Sequence, residues 1–156
     1  MRRIEETLWI VLILMASDPT MLGSSQNQQA PANLLVGQWR VVSGEFAGQA
    51  LPPAQLPKAI LTFEKDGRFR DAEGAEATWV IDESKSPNML ELVHTAGRDR
   101  GQRQLAVFEA TGERLTIVFG IPGGRDEDRP VRLTTSKDNP KLVLFVFERL
   151  KKAVVH

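Results

Sequence analysis

Leu35-Val36-Gly37-Gln38-Trp39-Arg40-Val41-Val42 is the stretch from which the fold can be read. A glycine, one spacer and a tryptophan head a run in which apolar residues alternate, and a polar segment precedes it. A period of two marks a strand with one buried face. It sets Trp39, Val41 and Ser43 on one side and Gln38, Arg40 and Val42 on the other. A tryptophan at the head of the first strand needs cover, and the chain beyond it holds a series of short strands able to wrap back over the indole.

Those strands come at short spacing, separated by turn chemistry. Ala59 to Glu64 puts Leu61 and Phe63 on one face, and Lys65-Asp66-Gly67 reads as a hairpin because Asp-Gly tolerates the positive φ of tight turns. Arg68-Phe69-Arg70, Ala77 to Ile81, Met89 to His94, Leu105 to Ala110 and Leu115 to Phe119 continue the series. Val131 to Thr135 reads as a further short strand, and Leu142 to Arg149 closes the domain. The last strand is apolar on both faces, so it needs cover outside as well as inside. Pro52, Pro53 and Pro57 bar the segment after the first strand from a central sheet position, since proline lacks the ladder donor; Pro53 to Leu56 fits one helical turn. The pattern predicts an all-β, antiparallel up-and-down barrel of about eight strands, with a short helical turn after the first.

Length and charge narrow the class. A chain of 156 residues holds one domain with a real core. Twenty basic residues balance 20 acidic ones, which argues against a nucleic-acid partner, because such binding needs a positive field. The absence of cysteine excludes disulfides, thiolate metal sites and thiol catalysis. Residues 1–25 have the form of a signal peptide. Arg2 and Arg3 precede an unbroken apolar run from Leu8 to Ala16, and Gly23-Ser24-Ser25 offers small residues before Gln26. That run is far shorter than the roughly 20 residues of a membrane-spanning helix, so no stable span is expected in the mature chain. Residues 26–34 read as a flexible linker, 35–150 as the barrel domain and 151–156 as a tail. The expected location is extracytoplasmic, periplasmic or secreted.

The ends of the domain carry a resemblance. Gly37-x-Trp39 opens the first strand and Arg149 ends the last. This resembles lipocalin-like barrels, where such an arginine lies across the indole and closes the barrel base. A closer likeness is to an uncharacterised lipocalin-like domain family described mainly from planctomycete bacteria. It is carried by Val36 to Ser43, Gly48 to Pro52, Leu61-Thr62-Phe63, Ile81 to Pro87, Gly112 to Leu115, Pro122-Gly123-Gly124 and Arg129-Pro130. This covers most of the chain after residue 34. Several of the matches are turn residues, so the likeness implies a fold and leaves the activity open. Phe119 stands where that family often has a cysteine, and nothing that depends on the cysteine carries over.

No catalytic set stands out. His94 has no metal-ligand or triad spacing around it and reads as a strand histidine at a barrel mouth or on the surface. Asp126-Glu127-Asp128 lacks calcium-loop spacing and is flanked by Arg125 and Arg129, as in a solvated loop. Pro122-Gly123-Gly124 reads as a tight turn. Arg98, Arg100 and Arg103 read as exposed loop charge, the alternative being an edge that attracts an anionic partner. No metal site and no cofactor are expected. A barrel of eight strands either fills its interior or holds one small ligand, and Phe63, Phe69, Trp79, Leu92, Leu105, Ile117 and Phe145 are the large residues available to fill it. The expectation is a non-enzymatic domain that binds a small apolar ligand or an extracytoplasmic partner, with Trp79, Phe63 and Phe69 as ligand-binding candidates and Gly37, Trp39 and Arg149 as a structural latch. The alternative is a solid-core structural or protein-interaction module.

Overall fold

The computed structural model describes residues 30–151; the expected signal peptide, the first part of the linker and the tail beyond Lys151 lie outside them. A short helix, α1 (Pro31–Leu35), leads into nine strands. They are β1 (Gly37–Phe46), β2 (Gln49–Ala50), β3 (Ile60–Phe63), β4 (Arg68–Arg70), β5 (Glu76–Asp82), β6 (Asn88–Ala96), β7 (Arg103–Ala110), β8 (Arg114–Phe119) and β9 (Val143–Arg149). From β3 to β9 each strand pairs antiparallel with the next. β1 pairs with both β3 and β9, so eight strands close into a barrel and the two-residue β2 only extends one edge of β1. Closure leaves the barrel strands without a free edge.

The interior follows the alternation. Trp39, Leu61, Phe63, Leu90, Phe108, Leu115 and Phe147 are buried in one cluster. Hairpin turns at Lys65-Asp66-Gly67 and Thr111-Gly112-Glu113 fall at one end of the barrel, which we call the base. Gly67 takes φ +86°, and the Asp66 carboxylate accepts the Arg68 backbone N–H at 3.1 Å. The 3-10 turn Pro53–Gln55 lies after β1 and β2, at the opposite end, the mouth.

Four expectations need correction. The linker is helical in its last part: Pro31 occupies the first turn of α1, where its missing N–H costs nothing. In β1 the register shifts between Val41 and Ser43, so Ser43 is exposed and Gly44 faces inward instead. Val131 to Thr135 is not a strand. Closure by β8 and β9 leaves it no ladder partner, and Val131 is 72% exposed. Leu105 is buried but lies on the outer face of β7, opposite Ala106 and Phe108.

That outer face explains the doubly apolar last strand. Residues 120–142 cross the outside of the barrel as a strap. Leu133 and Leu142 pack with Val107 and Val118, and with Leu144 of β9, into a second, smaller cluster. Ion pairs fix the strap: Arg129 with Glu91 at 3.4 Å, Lys141 with Asp128 at 3.0 Å, and Arg103 with Asp126. The Thr135 hydroxyl donates to the Glu45 carboxylate at 2.5 Å. Among the described residues no helix is long and apolar enough to cross a membrane.

Candidate functional site

The two ends of the barrel are finished differently. At the base, α1 leaves its last carbonyls without helical partners, as every helix does. Two side chains from the barrel satisfy them. The Trp39 indole N–H donates to Leu35 O at 2.8 Å. The Arg149 guanidinium donates to Leu34 O at 2.5 Å, to Val36 O at 2.7 Å and, across the β7–β8 turn, to Gly112 O at 2.6 Å. Its central carbon sits 4.2 Å from the Trp39 ring centroid, within cation–π range. Gly37 takes φ +137°, and a Cβ there would collide with Arg149 Nη1. Only glycine lets the arginine lie so close to the backbone. Trp39 and Leu35 have no exposed surface.

At the mouth the interior is hollow. A cavity of about 260 Å³ opens there. Val41, Leu61, Phe69, Leu92, Phe119 and Phe145 form its apolar wall, and Pro57, Ala59 and Pro122 from the mouth loops form its rim. Polar groups enter at five places: His94, Gln104, Asp71, Glu73 and Asp99.

His94 continues the inward face of Leu90 and Leu92 on β6, which is why a histidine sits inside and only 6% exposed. Its Nε2 lies 3.0 Å from Gln104 Oε1, while the Gln104 amide nitrogen donates to Gly120 O at 2.8 Å. A backbone carbonyl can only accept, so the amide nitrogen must face Gly120 and the amide oxygen must face the ring. The ring proton is therefore on Nε2, and in the neutral ring Nδ1 is a bare acceptor. That Nδ1 is buried and has no partner among the described residues, an unmade hydrogen bond that costs about 1–3 kcal/mol. The Gln104 amide holds the ring and is itself held by the Gly120 carbonyl.

The three aromatic candidates separate. Phe69 lines the cavity; Phe63 and Trp79 do not. The Trp79 indole N–H donates to Arg68 O at 3.1 Å and Glu64 O at 3.2 Å, closing the β3–β4 hairpin, and its ring meets Phe63 edge-on at 5.9 Å. Phe63 is sandwiched between Trp79 and Phe69, the latter at 5.1 Å. Both are core. Of the arginines, Arg103 pairs with Glu91 and Asp126, while Arg98 and Arg100 are exposed outside the cavity lining. In the glycine turn, Gly123 N–H donates to Arg103 O at 2.8 Å and Gly124 N–H to Ile121 O at 3.2 Å, so neither is left for an anion. Asp126 to Asp128 form a 3-10 turn of the strap. The Asp128 carboxyl is held below the usual carboxylate range, first by the hydrogen bond from the Lys141 ammonium and then by the Arg125 backbone N–H.

Sequence reasoning passes over Gln104, Asp71 and Asp99. For Gln104 the signal exists, since it shares the inward face of β7 with Ala106 and Phe108. Asp71 and Asp99 sit in loops, where no periodicity operates. No protein-family model matches this chain, and no curated protein matches it.

Proposed function

We propose that this chain is a binding domain for one small, mostly apolar molecule, held in the barrel mouth. The cavity carries the reading. It is closed below by packed aromatic side chains, walled by apolar residues, and furnished with a few convergent polar groups, the usual composition of a ligand site. Its volume is just below the ~300–1,000 Å³ of sites for drug-sized ligands. An apolar cavity of about 150 Å³ takes up benzene, so a ring with a short arm fits here. We also infer kinship with the lipocalin-like family that the latch residues resemble, and export directed by the leader; sequencing the N-terminus of the mature protein tests the latter.

The ligand reading is tested by native mass spectrometry of protein purified from its own host. The wild type should carry a small non-covalent adduct that Val143→Phe, which fills the cavity wall, does not. Identical unliganded masses for both proteins, with no uptake of small aromatic probes by either, would overturn it.

A further inference from the structure

The polar groups of the cavity are unusually one-sided. Asp71, Glu73 and Asp99 line it, and no lysine or arginine does. Among the described residues none of these three carboxylates takes part in an ion pair. Asp71 spends one oxygen on the β4–β5 turn, accepting the Glu73 and Ala75 N–H groups at 2.8 and 2.9 Å. Among the described residues no hydrogen-bond donor engages the side chains of Glu73 and Asp99. Arg98 and Arg100 flank Asp99 in sequence but stay outside the lining. A second observation points the same way: His94, in the cavity wall and more than nine-tenths buried, has a ring nitrogen that finds no partner among the described residues and that in the neutral ring can only accept.

We infer that the cavity selects small amines, an apolar body with a protonated nitrogen, over neutral and carboxylate molecules of the same size. This deepens the ligand reading above and rests on it. An ammonium brings up to three donors and a positive charge to a mouth that offers acceptors and negative charge. A carboxylate would bring a fourth negative charge with no lysine or arginine in the lining to receive it, which discriminates by repulsion. The arylethylamine skeleton matches the volume: a ring against Phe69, Leu92 and Phe145, and a two-carbon arm reaching the rim.

The test is isothermal titration calorimetry of the full chain with three matched probes, 2-phenylethylamine, 2-phenylethanol and phenylacetate, at neutral pH and at two salt concentrations. The amine should bind at least about tenfold more tightly than phenylacetate at low salt, and the gap should narrow as salt screens the rim. Glu73→Gln with Asp99→Asn should weaken the amine by about fivefold and leave the alcohol unchanged, with circular dichroism reporting that the fold is kept. Equal binding of all three probes, or preference for phenylacetate, would overturn the headgroup inference while the cavity reading stands. No binding of any probe to the wild type would remove both.

Discussion

The base and the mouth of the barrel are made by the same eight strands and solve opposite problems. At the base three carbonyls at the end of α1 are taken by one arginine and one indole, and Leu35 and Trp39 are fully buried. At the mouth a cavity remains, and among the described residues a ring nitrogen has no partner and three carboxylates form no ion pair. Under the proposed function, stability and binding are housed at opposite ends. One end is held by several contacts at once; the other keeps an unpaired ring nitrogen among the described residues, at a cost in stability that the proposed ligand would recover.

Substitutions at the base should therefore act on stability alone. Trp39→Ala removes a fully buried indole and should destabilise by about 3–5 kcal/mol, read as a lower denaturant midpoint. Arg149→Ala should cost about 2–4 kcal/mol, more than a lone cation–π contact, because it leaves backbone carbonyls unpaired in a partly buried site. Arg149→Lys should recover little of it, as an ammonium cannot reproduce the planar fork. A lysine variant as stable as the wild type would show that charge, and not geometry, holds the latch. Gly37→Ala should cost about 1–3 kcal/mol, from a φ that favours glycine and from displacing the arginine.

A matched pair of enlargements probes the two ends directly. Ala106→Leu, in the packed interior with no exposed surface, should destabilise by about 1–3 kcal/mol through overpacking. Val143→Phe, in the cavity wall, should change stability by less than about 1 kcal/mol and abolish ligand uptake. Equal costs for the two would mean that the mouth is as tightly packed as the interior. The smallest effect concerns the strap. Asp128 has a folded-state pKa lowered by Lys141, so its contribution is present above the ordinary carboxylate range and lost as pH falls through the lowered value. Lys141→Met should flatten the acid limb of a stability profile below about pH 4 by lowering the neutral plateau slightly, and leave the most acid region, where Asp128 is protonated in both states, unchanged.

The barrel is legible in the sequence because alternation is a local signal. Trp39, Leu61, Phe63, Leu90 and Leu92 each announce their face by their neighbours, and Asp66-Gly67 announces a turn by its chemistry. The same signal misleads at Val131 to Thr135, because an alternating run makes a strand only where a ladder partner is free, and closure is a property of the whole sheet. It also misleads at Ser43, since one extra residue in β1 reverses every face beyond it. The neighbours of Trp79 show that it faces the barrel core, but they do not show that its indole N–H is committed to the hairpin carbonyls, a pairing visible only in three dimensions. The mouth is the least legible part. Its rim is assembled from Pro57, Asp71, Asp99 and Pro122, brought from four loops by the closing of the barrel, and nothing in any one loop records the others.

The pairing of β1 with β9 has a consequence in time. Arg149 and the carbonyl it grips at Val36 stand 113 positions apart, so the base is sealed by contacts between the two ends of the domain. Closing so long a loop before its contacts repay the lost chain entropy is slow. During synthesis the first strand must wait for the last to emerge, its tryptophan covered only in part by β3. The barrel can thus close only once its final strand is free.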